Sequence, residues 1–241
     1  MECHQHTVFT AEAFVPQQLG STILPAIDPF TSKNAMLPAY LARETVAELG
    51  IDLFKPLVIQ VSRFDPWKDP HGVVEVWRRV VEAFPDLQLA PVGSMADDDP
   101  EGWRIYEEIE RETHAQPNCF LLTNQVGVGS HEVNALQRMA DVVIQKSVRE
   151  GFGLIVSEAL WKGTAVVAAP AGGIPTQIED GVNGYLAGSV DEFADRVHEL
   201  LENPDRARQL GAAGALRVRE QFLLTRLLRD HLTFLKRALG A

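Results

Sequence analysis

From Leu57 onward, short apolar runs alternate with amphipathic helical segments along the chain. Several runs are apolar at every position, which is typical of strands buried on both faces of a parallel sheet. The predicted strands are residues 57–61, 87–92, 119–122, 142–145, 165–169 and 185–187. Because strands and helices follow one another in strict succession, the sequence predicts right-handed crossovers and an α/β fold with a doubly wound, Rossmann-like parallel sheet. In such sheets, ligands bind beyond the carboxyl ends of the strands.

The helix starts are marked by capping residues. The clearest helix is predicted over residues 70–84, where apolar side chains recur at offsets of three and four. Asp69 is its expected N-cap and Pro70 its first helical residue. The same Asx-Pro pair recurs at residues 99–100 and 203–204, so two further helices are expected to begin there.

The chain divides into three parts by pattern. Residues 1–55 are punctuated by prolines and are predicted to be an irregular connector and the remnant of a preceding domain, with one helix at 38–50. Residues 56–222 carry the alternating pattern and form the predicted ligand-binding domain. Residues 223–241 are predicted to be a terminal helix whose leucines share one face, which would contact an amino-terminal domain or a second copy of the chain.

Composition excludes several partners. The formal net charge of −11 argues against nucleic acid and against an anionic membrane surface, both of which attract basic proteins. Two cysteines, Cys3 and Cys119, make no disulfide framework and favour a reducing cytoplasm. His4 and His6 lie near Cys3, but no second Cys and His cluster follows, so a frayed terminus is expected there instead of a metal site.

A glycine-containing turn follows the fourth predicted strand, in the stretch REGFGLIVSE at 149–158. A strand, a turn and a helix in this order form an anion site, because the amides that open the helix, which is expected to begin at Phe152, and the helix dipole favour a phosphate oxygen. Gly151 and Gly153 would let the backbone approach a ligand closely. Carboxylates at Glu150 and Glu158 are suited to accept hydrogen bonds from sugar hydroxyls. The alternative is an ordinary turn with two solvated glutamates.

Basic residues follow the same strand ends. Arg63 and Lys68 follow the first predicted strand, and Lys146 and Arg149 follow the fourth. These two strands flank the topological switch point of a doubly wound sheet, where a ligand is expected. Chance and ordinary helix-flanking charge are the alternative. In a chain with excess negative charge, the arrangement favours an anionic, phosphorylated ligand.

Two motifs resemble a known family. The segments SRFDPWK at 62–68 and EGFGL at 150–154, with seven residues between Glu150 and Glu158, resemble the donor-site motifs of retaining glycosyltransferases of the GT-B fold. Finer matches to the trehalose-forming branch lie at residues 95–103, 122–124, 133–138 and 146–147. The resemblance covers roughly residues 23–239. It implies transfer of glucose from a nucleotide-diphosphate donor to glucose, forming trehalose with retention, without a metal or other cofactor.

The resemblance also implies residue roles. The matches of Arg63 and Lys68 hold the diphosphate, that of Glu150 acts in catalysis at the donor sugar, and that of Glu158 binds the ribose. The backbone of residues 153–155 is expected to face the phosphate. Gly172 and Gly173 match the second tight turn near the sugar. The base is expected to rest at Thr123, Asn124 and Val126. The other implied donor-site residues are Gly151, Phe152, Gly153, Leu154, Ile155, Thr123, Asn124, Val126, Gly172 and Gly173.

Two departures from the family leave alternatives open. Asp69 stands where the family usually has glycine, and its charge is expected to weaken donor binding. GT-B enzymes close a cleft between two domains, and residues 1–55 are too short to be the first of these. The chain is therefore expected to be the donor-binding half. A trehalose phosphorylase and a non-catalytic nucleotide-sugar-binding regulator are the alternatives to a synthase.

Overall fold

The computed structural model describes residues 7–10 and 21–239 of the chain. The expected frayed terminus with Cys3, His4 and His6 lies outside the described residues. In chain order, the strands are β1 Val8–Phe9, β2 Ser21–Thr22, β3 Leu57–Val61, β4 Gln88–Gly93, β5 Leu122–Thr123, β6 Val142–Gln145, β7 Ala165–Ala168 and β8 Tyr185–Leu186. The helices are α1 Ala39–Glu48, α2 Pro70–Val81, α3 Pro100–Thr113, α4 Ser130–Met139, α5 Leu154–Trp161, α6 Ile174–Gln177, α7 Val190–Glu202, α8 Pro204–Gln221 and α9 Leu224–Leu239.

Six parallel strands form the central sheet in the spatial order β5-β4-β3-β6-β7-β8. The predicted doubly wound α/β fold is therefore confirmed. Strands β3 and β6 are neighbours, with Val58 opposite Val142 and Ile59 opposite Val143. The chain order runs outward from this pair in both directions, so the switch point lies between β3 and β6.

One predicted strand is misplaced. The sequence places a strand at 119–122, whereas β5 begins at Leu122. Cys119 forms an isolated bridge with Leu89: Leu89 N donates to Asn118 O at 2.9 Å, and Phe120 N donates to Leu89 O at 2.8 Å. The chain thus touches β4 early and pairs continuously only from Leu122, which lies opposite Val92.

Two hydrophobic cores lie on the two faces of the sheet. Successive β3 side chains alternate between them, with Leu57 and Ile59 in one core and Val58 in the other. Helices α1, α4, α5 and α6 supply buried residues to the first core, and α2, α3 and α7 supply the second. Because both faces are covered, the carboxyl edge of the sheet is where a ligand can reach the strand ends.

The predicted caps are confirmed. Asp69 and Asp99 each accept a hydrogen bond at 3.0 Å from the backbone amide three residues on, at the starts of α2 and α3. Asn203 does the same at 3.1 Å for α8. Helix α2 ends at Val81 and not at residue 84, because two successive amides, those of residues 83 and 84, both bond to the carbonyl of Val80 and close the last turn.

The segment before α1 packs against the end of the chain. Ile27 N donates to Phe222 O at 2.8 Å, and the Arg226 guanidinium donates to the carbonyls of Leu24 at 2.7 Å and Pro25 at 2.9 Å. Helix α9 then runs with an exposed apolar face. The leucines of that face are Leu224, Leu228, Leu232, Leu235 and Leu239. Among the described residues, no helix combines the length and apolarity needed to cross a lipid bilayer.

Candidate functional site

A cavity of about 570 Å³ opens at the carboxyl ends of β3, β4 and β6. Eight of the predicted site residues line it: Arg63, Lys68, Asn124, Glu150, Gly153, Leu154, Ile155 and Glu158. The other six do not line it: Gly151, Phe152, Thr123, Val126, Gly172 and Gly173. Among the described residues, three cationic side chains (Lys33, Arg63 and Lys68) and two carboxylates share its wall, so the cavity is net positive in a strongly acidic chain.

Lys68 and Glu150 form the central ion pair of the cavity. Lys68 Nζ lies 2.6 Å from Glu150 Oε2, and their side chains are 17% and 12% exposed. Ser147 Oγ also donates to Glu150 Oε2 at 3.3 Å, and the amide of Gly151 donates to Glu150 Oε1 at 3.0 Å. The Glu150 carboxylate is thus held by three groups, and Lys68 brings its charge to the mouth of the glycine-containing turn.

The backbone after Lys68 is held in an unusual conformation. Asp69 has φ 47° and is the one non-glycine residue with a positive φ among the residues that the structure describes. This left-handed geometry is the physical reason for a glycine preference at the position. The Asp69 carboxylate pairs with the ammonium of Lys146, which follows β6. Its charge is therefore compensated within the chain, so it bears less on a bound anion than the sequence suggests.

Arg63 is the more exposed of the two predicted diphosphate ligands. Its side chain is 67% exposed and pairs with Asp65 Oδ2 at 2.7 Å. Asp65 also accepts from the amide of Trp67 at 2.7 Å and so caps the short 3₁₀ turn Pro66–Lys68. Arg63 is anchored at the cavity rim by a partner that a phosphate can replace at little cost, because exposed ion pairs are weak.

Arg149 does not line the main cavity but borders an adjacent one, together with Lys68 and Glu150. Its guanidinium stacks over the ring of Trp67 at 5.1 Å from the centroid, and the amides of Val148 and Arg149 both bond to the Trp67 carbonyl. Lys146 is likewise occupied by Asp69. Of the four basic residues that the sequence places at this edge, Arg63 and Lys68 line the cavity and the other two secure the loops around it.

The glycine-containing turn is fixed from beneath by buried polar groups. Gln177 is fully buried, and its Nε2 donates to the carbonyl of Phe152 at 2.5 Å. Its Oε1 accepts from Ser157 Oγ at 2.5 Å, one turn into α5. Gly153, with φ 83°, is the residue before α5, so the helix begins at Leu154 and not at Phe152. Gly153, Leu154 and Ile155 line the cavity.

Gly172 and Gly173 pack behind this turn. A Cβ on Gly172 would overlap the carbonyl oxygen of Glu150, and its φ of 53° also favours glycine. The amide of Gly173 donates to Gly151 O at 2.8 Å. These two glycines therefore position Glu150 and Gly151 through the backbone, and they do not border the cavity themselves.

Glu158 lies in the second turn of α5 and is 7% exposed. Its Oε2 lies 2.8 Å from Lys33 Nζ, which reaches the cavity from the segment before α1. Beneath it, Lys162 Nζ donates to Glu158 O at 3.1 Å and to Gln137 Oε1 at 2.8 Å. Burial lowers the pKa of Lys162 to about 7, although the nearby Glu158 carboxylate raises it in part.

At the far end of the cavity, the side-chain amide of Asn124 is occupied by hydrogen bonds within the protein. Its amide accepts from Met95 N at 2.7 Å and donates to Met95 O at 3.0 Å, which ties the loop after β4 to the 3₁₀ turn Asn124–Val126. Thr123 is buried and caps the same turn, and the Val126 side chain is 60% exposed outside the cavity wall. Val128 and Gly129 line this end in their place.

Lys33 and Gln145 are two of the cavity residues that the sequence did not identify. Lys33 lies in the segment read as a connector, and no local pattern links it to Glu158, which is 125 residues away in the chain. Gln145 ends the apolar run of β6 and is 1% exposed, and its Oε1 has no hydrogen-bond partner in the part of the chain that the structure describes. A polar residue at the end of a buried strand is a signal that could have identified Gln145.

The chain matches the family described as glycosyl transferases group 1 over residues 42–217. It is 48% identical over 237 residues to a trehalose synthase of Rubrobacter xylanophilus, covering 97% of this chain and 57% of that protein. It is 43% identical over 211 residues to a trehalose synthase of Pyrococcus horikoshii, covering 88% of this chain and 51% of that protein. The chain therefore spans only about half the length of these curated relatives.

Solved structures show the same fold. Sucrose-phosphate synthase from Thermosynechococcus elongatus has a TM-score of 0.80 at 22% identity, covering 100% of this chain and 60% of that chain. Anabaena Alr3699/HepE, solved in complex with UDP-glucose, has a TM-score of 0.79 at 19% identity, covering 95% of this chain and 63% of that chain. At these identities the likeness concerns architecture alone.

Proposed function

This chain belongs to the group 1 glycosyltransferases and is related to trehalose synthases, and from that premise we propose that it binds a nucleotide-diphosphate-glucose donor. We propose further that the activity it serves is transfer of glucose to glucose, forming trehalose with retention. The observation that carries the proposal is the cavity at the β3–β6 switch point, where Lys68 and Glu150 are paired beside the first turn of α5.

The diphosphate is placed between two positive surfaces. Lys68 and Arg63 come from the loop after β3, and the first amides of α5 come from the opposite side of the cavity. Helix N-termini favour phosphate oxygens, and a guanidinium can donate to two oxygens at once. Arg63 would exchange Asp65 for the phosphate, whereas Lys68 would be shared between Glu150 and the phosphate.

The two carboxylates are assigned to the two sugars of the donor. Glu158, deep in α5, accepts hydrogen bonds from the ribose, since a carboxylate oxygen is an acceptor for hydroxyl groups. Glu150, held near the diphosphate by Lys68, faces the glucose and stabilises positive charge that develops at its anomeric carbon. Each carboxylate is paired with a lysine, so both stay in place before the ligand arrives.

In the proposed reaction, the bond between the anomeric carbon and the diphosphate oxygen breaks, and its electron pair leaves with the diphosphate. The acceptor hydroxyl forms the new bond on the same face and loses its proton to a leaving-group oxygen. Lys68, Arg63 and the amides of α5 stabilise the departing negative charge electrostatically. We propose that this charge stabilisation makes a metal ion unnecessary.

Calorimetry tests the donor site. UDP-, ADP- and GDP-glucose are titrated into the wild-type chain and into Arg63→Ala and Glu158→Ala. Each substitution is expected to weaken binding of the preferred donor by about 1.5–3 kcal/mol, the scale for hydrogen bonds to charged groups. Lys55→Ala is the matched control, because Lys55 pairs with Asp86 near the amino end of β3, remote from the cavity. Unchanged affinity in both cavity variants would reject this site.

A product assay tests the reaction. The protein is mixed with the preferred nucleotide-glucose and glucose, and trehalose is measured. Trehalose formation supports the synthase. Cleavage of trehalose that requires inorganic phosphate and not a nucleoside diphosphate would identify a phosphorylase instead. Donor binding without turnover would favour a nucleotide-sugar-binding regulator.

A further inference from the structure

Lys33 reaches the donor cavity from outside the alternating strand and helix pattern. It lies in the segment between β2 and α1, and its ammonium is 2.8 Å from Glu158 Oε2. The Lys33 side chain is 28% exposed and that of Glu158 only 9%. Both line the same cavity. An ammonium that is partly open to a ligand space and a nearly buried carboxylate therefore stand side by side.

The backbone on both sides of Lys33 is clamped to α4. Asn134 is buried, and its Nδ2 donates to the carbonyls of Ser32 at 2.9 Å and Ala35 at 3.0 Å. Arg138 Nη2 donates to the same Ala35 carbonyl at 3.0 Å. A buried amide and a half-buried guanidinium satisfy these carbonyls, so the position of the segment is determined by the fold.

Helix α5 holds the next residue, Asn34, which is 4% exposed. Trp161 Nε1 donates to Asn34 O at 3.1 Å, and Lys162 Nζ donates to Asn34 Oδ1 at 3.1 Å. Glu158 belongs to the same helix, one turn earlier. The helix that carries Glu158 thus also fixes the backbone beside Lys33. The distance between the carboxylate and the ammonium is consequently set before any ligand binds.

A paired ammonium and carboxylate suit a hydroxyl group. A hydroxyl donates one hydrogen bond and accepts others, a carboxylate only accepts, and an ammonium has three donors. Lys33 lies at ion-pair distance from Glu158 Oε2, but this buried oxygen has no hydrogen-bond partner among the described residues, so a hydroxyl can donate to it. A ribose hydroxyl placed between them would donate to Glu158 and accept from Lys33. Because the pair is preorganised, little side-chain entropy is lost on binding.

We propose that Lys33 is a specificity-determining residue of the donor site, which orients Glu158 and together with it recognises a ribose hydroxyl of the nucleotide. The proposal rests on the proposed function, since it assumes a nucleotide ligand in this cavity. It adds a residue that lies outside the strands and helices of the central sheet and its layers. A purely structural ion pair would instead affect all nucleotides alike.

Ligand discrimination provides the test. The dissociation constants of UDP, ADP and GDP, and of their 2′-deoxy and 3′-deoxy counterparts, are measured by calorimetry on the wild-type chain and on Lys33→Met. Wild type is expected to lose about tenfold in affinity when the recognised hydroxyl is removed, the size of one charged hydrogen bond. Lys33→Met is expected to bind the ribonucleotide about tenfold more weakly and to distinguish the deoxy form by no more than about twofold.

Three further variants keep the result interpretable. Glu158→Gln should lose the same discrimination, whereas Lys33→Arg, which keeps a cation, should retain most of it. Lys55→Met makes the same chemical change at a lysine remote from the cavity and should behave as wild type. Circular dichroism confirms that each variant is folded, and Lys33→Arg supplies the comparison if Lys33→Met is not.

The outcomes separate the two proposals. If no nucleoside diphosphate binds to wild type, the proposed function fails, and this inference with it. If one binds and Lys33→Met keeps the wild-type ratio between ribo and deoxy forms, the donor site stands and the role of Lys33 is overturned. Equal loss of discrimination in Lys33→Arg and Lys33→Met would also overturn it, because charge would then not be what matters.

Discussion

The ammonium of Lys68 lies 2.6 Å from Glu150 Oε2, although the two residues are 82 positions apart in the chain. The contact joins the loop after β3 to the loop after β6, across the switch point of the sheet. Both side chains are mostly buried, so neither charge is fully hydrated. The contact therefore couples the cation that we propose for a diphosphate to the carboxylate that we propose for a sugar.

The two members of this pair should have separable effects. Lys68→Met is expected to weaken binding of the nucleoside diphosphate by about tenfold or more, because a cation at the phosphates is lost. Glu150→Gln should bind the nucleoside diphosphate at least as well as wild type, since Lys68 is released, but should form trehalose at least about 100-fold more slowly. Calorimetry and a trehalose assay measure the two effects. Comparable loss of binding in both variants would contradict the assignment.

The left-handed backbone conformation of Asp69 should be measurably strained. With φ 47°, it adopts a conformation that costs a residue with a side chain about 1 kcal/mol relative to glycine. Asp69→Ala should therefore be less stable than Asp69→Gly, although both lose the cap and the pair with Lys146. Chemical denaturation of the two variants gives the difference in the free energy of unfolding.

Asp99 is the control for that experiment. It caps α3 in the same way but has φ −112°, so alanine and glycine differ there only in capping. The gap between the alanine and glycine variants should be larger at position 69 than at position 99 by about 1 kcal/mol. Equal gaps would show that the left-handed backbone at Asp69 stores no strain.

Gly172 should be intolerant of a side chain. A Cβ there would lie 2.6 Å from Gly151 O and would overlap Glu150 O, both of which are backbone atoms. Gly172→Ala is expected to lower the free energy of unfolding by about 2 kcal/mol or more, by overpacking and by the positive φ. Gly151→Ala is the matched control, because its Cβ would meet nothing within 4 Å. It should stay within about 0.5 kcal/mol of wild type in denaturant unfolding.

The buried Lys162 should make the free energy of unfolding depend on pH. Burial lowers its pKa from 10.5 to about 7. Between these two values, the unfolded chain binds the proton and the native chain does not, so the free energy of unfolding rises with pH, by up to about 1.4 kcal/mol per pH unit. Below about pH 7 both states are protonated and this contribution is constant. Denaturant unfolding of wild type and Lys162→Met from pH 6 to 10 measures it. A difference between the two that does not change with pH would contradict the lowered pKa.

The local sequence pattern was sufficient to predict the central sheet and the starts of the helices. Strand β6 at Val142–Gln145 and the cap at Asp69 could be read from apolar runs and Asx-Pro pairs, because both depend on neighbouring residues. The glycine-containing turn was located for the same reason. Its helix begins two residues later than expected, since Gln177, more than twenty positions downstream, holds the Phe152 carbonyl in the turn.

Which charged side chains pair with one another is decided by the tertiary structure. Two of these ion pairs join residues that are far apart in the chain, Asp69 with Lys146 and Glu158 with Lys33. No local sequence pattern indicates that the members of either pair meet. A charge in a sequence says what a side chain can bind, but burial and neighbouring elements decide what it does bind. Residue type and periodicity thus determined the layers of this protein and the edge that holds its ligand site. Which cation meets which carboxylate followed only from the crossovers that bring distant loops to that edge, because ion pairs act through space and not along the chain.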